Sequence, residues 1–199
     1  KAKYSMEKGG KAWRGHFPLG SELTSGKPDM KEGIYIGEEE ELQASTPPLH
    51  GPNILPDDIP DFPNFKRDVL VYMDQMKRIA SVIIEAIALS LGLSHDGLDH
   101  IFEPKPTQLF RIFKYPPVPP LSQVTRSSPS PSLSSPASSS WGVGKHSDYG
   151  MLTILFQDEV GGLEVEAQDG SWVDAPPVNG TFIVNLGDML ERITWGRLR

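Results

Sequence analysis

Two side chains with metal-binding chemistry stand two positions apart late in this sequence: His146 and Asp148, with Ser147 between them. In an extended backbone residues i and i+2 point the same way, so an imidazole and a carboxylate at this spacing can converge on one cation. Two histidines and one carboxylate make the facial triad that holds non-haem Fe(II), with positions left open for a cosubstrate and O2 together. The chain has no cysteine. That removes disulfides, thiolate zinc sites, iron–sulfur clusters and cysteine nucleophiles, and leaves His and carboxylates as metal ligands. His-x-Asp is common by chance, so the surrounding sequence must carry the argument. The neighbouring Gly142-Val143-Gly144-Lys145 fails as a phosphate-binding loop twice, since Ser139 stands where the motif needs Gly and His146 where it needs Ser or Thr. No side chain is singled out as a catalytic acid, base or nucleophile.

The elements that must position this pair can be read from periodicity. Residues 64–92 predict one long helix: Phe65, Val69, Met73, Met76, Ala80, Ile83, Ile87 and Leu91 recur at three or four and draw one apolar stripe. Asn64 is the expected N-cap and Gly92 the stop. The second half of this helix is apolar on several faces and is expected to be buried against a sheet. A short helix is expected at 95–102. From Thr107 the period changes to two, predicting a strand over 107–115 with Leu109, Arg111, Phe113 and Tyr115 on one face. Short strands are expected at 150–157, 163–167, 171–174 and 181–186, with a hairpin turn at Asp169-Gly170 and a short helix at 188–194. Residues 1–63 are rich in Gly and Pro and read as an irregular arm, with Glu38–Glu41 as a solvated acidic loop. Residues 116–140 hold 7 Pro and 10 Ser, too little apolar surface to offset their ordering entropy. They predict a disordered insertion, placed at 118–140.

The 199 residues suffice for one domain with a core. A net charge of −7 argues against a nucleic-acid footprint, which needs a surplus of Lys and Arg on one face. No apolar run reaches the roughly 18–20 residues that cross a bilayer. The longest, at 80–93, is broken by Ser81, Glu85 and Ser90. The remaining histidines, His16, His50, His95 and His100, are expected as surface or core residues. Asp188 and Glu191 are most simply charges suited to a helix start.

Six pieces together carry a family resemblance: Trp13-Arg14-Gly15-His16-Phe17-Pro18; the run from Leu109 to Pro117; the stretch from Trp141 to Gly150; Leu152-Thr153-Ile154-Leu155; Gly161-Gly162-Leu163; and Asn185-Leu186-Gly187-Asp188-Met189-Leu190-Glu191. In this order they resemble the isopenicillin N synthase-like 2-oxoglutarate/Fe(II)-dependent dioxygenases, over nearly the whole chain apart from the Ser/Pro insertion. The resemblance implies an α+β fold: a double-stranded β-helix (jelly roll) flanked by N-terminal helices and incomplete at the C-terminus. It implies an arm and helical region at 1–106 and a partial core at 107–199. His146 and Asp148 match the first two iron ligands, and Tyr115 matches a tyrosine that helps hold the 2-oxoglutarate carboxylate. Arg111 shares a strand face with Tyr115. An inward Arg is costly unless an anion meets it, so Arg111 is expected to contact cosubstrate or substrate, with a structural salt bridge as the alternative.

The sequence also departs from the family pattern. The third ligand, a second His, would fall about four residues past Arg199, and the Arg-x-Ser pair that clamps the distal carboxylate later still. The 199 residues therefore hold two of three ligands, and this stretch is expected to be inactive alone. The expected function is oxidation of a small molecule with Fe(II), 2-oxoglutarate and O2, by a cytoplasmic monomer with no nucleic-acid or membrane partner. Two alternatives stay open: an oxidase of the same fold that uses no 2-oxoglutarate, and a non-catalytic remnant or interaction protein.

Overall fold

The computed structural model describes residues 1–103, 105–117 and 142–199. The expected insertion at 118–140 and Trp141 lie outside the described residues. The chain is mixed helix and strand and divides into two compact units, one of Lys1–Gln75 and Glu85–His146, the other of Met76–Ile84 and Ser147–Arg199. Among the described residues no helix is long and apolar enough to cross a membrane.

The first unit opens with single 3-10 turns at Ala2–Tyr4, Met6–Lys8 and Gly10–Ala12, followed by β1 (Gly15–Phe17), β2 (Leu23–Thr24), β3 (Lys27–Pro28) and β4 (Glu32–Gly37). Strand β4 is the centre of a three-stranded antiparallel sheet, between β1 and β5 (Leu109–Lys114). This corrects the irregular arm expected over residues 1–63. Gly33 and Gly37 look like turn punctuation, yet both are strand residues whose missing side chains make room for others. A Cβ on Gly33 would stand 2.7 Å from the Phe113 ring and 2.8 Å from the Phe17 ring. Without it the two rings meet edge to face across the glycine at 5.8 Å. A Cβ on Gly37 would collide with the guanidinium of Arg14, which is buried and donates to Ala12 O (2.7 Å) and Leu49 O (2.6 Å).

The two faces of the sheet have different work. Ile34, Ile36 and Phe110 pack with Leu55 and with Phe65, Val69, Leu70 and Met73 of the long helix α1 (Phe65–Ser90). Ile36 is fully buried, which is worth about 1.5–3 kcal/mol relative to exposure. The other face carries Phe17, Tyr35, Phe113 and Tyr115 as linked aromatic contacts. The predicted stripe of α1 is its less exposed side throughout. Its second half departs from expectation, since Val82 (65%) and Leu89 (60%) are exposed while Ile84 and Ala88 are buried. Asn64 is left-handed (φ 66°) and makes no side-chain cap; its N–H donates to Asp58 Oδ1 at 2.7 Å instead. The short helix expected at 95–102 is a 3-10 turn, Asp99–Phe102. The acidic run is ion-paired, not merely solvated: Glu39 meets Lys66 (3.1 Å), and Glu40 meets His50 and Lys105 (2.9 Å each).

In the second unit β6 (Leu152–Leu155) pairs antiparallel with β9 (Ile183–Leu186), and β7 (Glu164–Glu166) with β8 (Trp172–Asp174). All four lie within the ranges predicted from period-two patterning. The β7–β8 turn holds Gly170 at φ 82°, a conformation open to Gly without a Cβ penalty. Helix α2 (Asp188–Ile193) follows β9 after Gly187.

Candidate functional site

His146 ends the first unit and Asp148 lies in the second. The imidazole Nδ1 of His146 is 2.8 Å from Gly144 O. A carbonyl oxygen only accepts, so Nδ1–H is the donor in this contact, which leaves Nε2 as the ring nitrogen turned to other partners. This is the arrangement that orients a metal-ligating histidine through its other nitrogen.

Asp148 is half-buried. Its Oδ2 accepts from Asn185 Nδ2 at 3.0 Å, and Asn185 faces Thr153 across the β6–β9 pair. The Asp148 carbonyl accepts from Asp188 N–H at 2.9 Å, and Gly150 O accepts from Met189 N–H at 3.0 Å. The start of α2 is thereby tied to the residues on either side of Tyr149. Gly187 is required at this junction because a Cβ there would run into the backbone of Gly150. Asn185 has an orienting role that the sequence reading did not assign. The signal was its alternation on a predicted strand, which sets a polar amide on an otherwise apolar element.

Arg111 and Tyr115 lie together in the first unit. The Arg111 guanidinium carbon is 5.1 Å from the Phe113 ring centroid and 5.8 Å from that of Tyr35, which stands opposite it in the β4–β5 register. Around them is a mixed-charge cluster. Tyr35 Oη donates to Glu22 Oε1, and Lys31 Nζ is 2.9 Å from Asp29 Oδ2 and 3.4 Å from Glu22 Oε2. Lys31 also sits 4.7 Å from the Phe113 centroid. Burial first, then the Glu22 hydrogen bond, push the Tyr35 hydroxyl well above the ordinary tyrosine range. Burial likewise raises Tyr115, with Asp29 adding to the effect and Arg111 opposing it. Both phenols therefore stay protonated at neutral pH and can donate. The Tyr115 ring lies on Gly142, where a Cβ would stand 2.5 Å from Cδ1, so it touches the segment that leads to His146.

Taken singly, each donor is of a type that suits a divalent ion of intermediate softness: an imidazole whose Nδ1 is turned to a carbonyl and a carboxylate with one oxygen oriented by an amide. Among the described residues no group of three His, Cys, Asp or Glu could hold a metal.

Residues 106–199 match the family model described as the 2OG-Fe(II) oxygenase superfamily. A probable iron/ascorbate oxidoreductase of Dictyostelium discoideum is 44% identical over 207 residues, covering 100% of this chain and 56% of that protein. A 1-aminocyclopropane-1-carboxylate oxidase of the same organism is 34% identical over 213 residues, 98% of this chain and 57% of that protein. A full-length Neurospora crassa protein solved in complex with alpha-KG (2-oxoglutarate) superposes with a TM-score of 0.74 at 31% identity, over 95% of this chain and 54% of that one. Further structures of the same Neurospora protein hold thymine and 5-formyluracil. The chain thus spans a little over half the length of these relatives.

Proposed function

Through residues 106–199 the chain belongs to the 2OG-Fe(II) oxygenase superfamily, and from that premise we propose that it carries His146 and Asp148 as two ligands of an Fe(II) site for oxidation of a small molecule. The observation that carries this reading is the orientation of each ligand by its own partner, His146 by Gly144 O and Asp148 by Asn185. The antiparallel pairs β6–β9 and β7–β8 are then strands of a jelly-roll core at 107–199. Tyr115 donates its hydroxyl to a carboxylate of 2-oxoglutarate. Arg111, on the same strand face, offers a planar fork to a carboxylate of cosubstrate or substrate. When bound, Fe(II) with 2-oxoglutarate and O2 supplies the oxidising chemistry. The protein's part is to bind, orient and keep water from the reacting centre. Because the Neurospora relative is solved with thymine and 5-formyluracil, a small polar organic molecule is the substrate class the likeness favours. With two protein ligands in place of three, the 199 residues bind metal weakly and do not turn over alone.

The test is metal titration with Co(II) as a spectroscopic substitute, with and without 2-oxoglutarate. Weak binding should be lost in His146→Ala and in Asp148→Ala. 2-Oxoglutarate should tighten it, and the tightening should vanish in Tyr115→Phe and Arg111→Met. Binding that survives both ligand substitutions refutes the assignment. Tightening that is absent in the parent chain favours the oxidase that uses no 2-oxoglutarate.

A further inference from the structure

The β2–β3 hairpin and the residues just after it grip the segment that delivers His146. Met30 N–H donates to Gly142 O at 2.7 Å. Thr24 lies against Gly144, where a Cβ would stand 3.2 Å from Thr24 Cγ2. Ser25 Oγ reaches Lys145 O at 3.5 Å, a long contact. The hairpin turns on Ser25 and Gly26, both at positive φ (52° and 77°), the two-residue turn whose twist matches its strands.

What holds this hairpin is Asp29, which is 3% exposed. Its carboxylate accepts from Thr24 Oγ1 at 3.0 Å and pairs with the buried Lys31 Nζ at 2.9 Å. Its N–H donates to Glu22 O (2.8 Å), and its carbonyl accepts from Gly20 N–H (3.1 Å). A continuous path of contacts therefore runs from Lys31 through Asp29 and Thr24 to Gly144, whose carbonyl accepts a hydrogen bond from Nδ1–H of His146.

We infer that Asp29, Lys31 and Thr24 are positioning residues for His146, acting through the main chain of 142–146. The inference deepens the proposed function and rests on its reading of His146 as a ligand. Two physical arguments support it. Gly142 and Gly144 give the segment more backbone freedom to lose than any other residue type would, so its path needs fixing from outside. Gly142 is nonetheless held to Gly, because the Tyr115 ring occupies the space a side chain would take, and at Gly144 a Cβ would press on the Thr24 methyl at 3.2 Å. And a buried ion pair is a poor device for stability alone, because desolvation offsets most of its attraction. Here the pair fixes the residue whose neighbour, Met30, holds Gly142 by a backbone hydrogen bond.

The experiment uses the 199-residue chain and three variants: Asp29→Asn, Gly144→Ala, and Gly144→Ala combined with Thr24→Ser. Amide hydrogen exchange at 142–146, the ring 15N signals of His146 and Co(II) affinity are read for each. Asp29→Asn should speed exchange at 142–146, shift the His146 ring from its Nδ1–H tautomer and weaken Co(II) binding about tenfold, the scale of lost outer-shell partners. Gly144→Ala should act likewise without touching the buried pair, by pressing on Thr24. Thr24→Ser removes the methyl it presses on and should restore all three readouts to within about twofold of the parent. The inference is overturned if the 142–146 and His146 signals are unchanged while exchange in the hairpin rises, or if Thr24→Ser fails to rescue. Should the parent chain and His146→Ala take Co(II) alike, the ligand reading fails, and exchange with ring tautomer still decides the positioning.

Discussion

Replacing Gly37 by Ala tests how the sheet that carries Arg111 and leads into Tyr115 is anchored. The new Cβ would occupy the space of the Arg14 guanidinium, which is 1% exposed and cannot shift without leaving its two carbonyl partners, Ala12 O and Leu49 O. Hydrogen bonds from a charged donor are worth about 1.5–3 kcal/mol each. Losing both therefore costs about 3–6 kcal/mol, and for a chain of this length each kcal/mol lowers Tm by about 2–4 °C. A value near 4 kcal/mol corresponds to a fall of roughly 8–16 °C. Arg14 Nε is already buried without a hydrogen-bond partner, so the guanidinium has no slack to redistribute its bonds. The assay is thermal and urea unfolding of the parent, Gly37→Ala, Arg14→Leu and the double variant. Gly37 is not among the positive-φ residues, so Ala is acceptable to the backbone there. Once Arg14 is removed, Gly37→Ala should cost less than about 1 kcal/mol. An equal loss in both backgrounds refutes the argument that the glycine exists to admit the guanidinium.

Asn185→Ala removes the amide that orients Asp148 Oδ2 and should weaken Co(II) binding about tenfold with little change in unfolding midpoint; unchanged affinity would show the bond to be incidental. Glu40 is held below its ordinary value of 4.5, first by the His50 hydrogen bond and then by Lys105. Its folded-state pKa is depressed, so its stabilisation is complete above the ordinary glutamate value and lost as pH falls through the folded one. Glu40→Gln should flatten the acid limb of the stability–pH profile below 4.5 and leave the neutral plateau sloping as before. Tyr35→Phe should leave Glu22 without its phenolic donor, costing about 1–2 kcal/mol in urea unfolding.

What could be read from sequence follows from which signals are local. The long helix was legible because three-and-four spacing is a property of consecutive residues, and β5 to β9 were legible from alternation and from Asp169-Gly170. Strand β4 was not, because Gly33 and Gly37 carry the composition of turns. Their reason lies far along the chain, in Phe113 for one and in Arg14 for the other. The capping role expected of Asn64 is not realised: the residue is left-handed with no side-chain cap, and its N–H donates to the nearby Asp58. The solvated loop expected at Glu38–Glu41 failed because Lys66, His50 and Lys105 come from distant segments to meet it.

The candidate site divides along the same line. The residue types that could hold a metal are visible as His146 and Asp148, because chemistry and two-residue spacing are local facts. Their supports are not. Gly144 is two residues from His146, but Thr24, Asp29 and Lys31 stand more than a hundred positions earlier, and Asn185 follows Asp148 by 37. A tripeptide that occurs often by chance becomes a ligand pair only when its side chains are held in one geometry. Under the proposed ligand reading, the cost of orienting each side chain falls on ordinary-looking residues: Gly142, which has no room for a side chain, Gly144, where a Cβ would press on Thr24, a buried Asp–Lys pair and one strand asparagine. Specificity for a metal is then a property of these supports as much as of the ligands. A chain that kept His146 and Asp148 but lost the supports would show the same motif with far weaker binding, which is why motif matching and metal affinity need not agree.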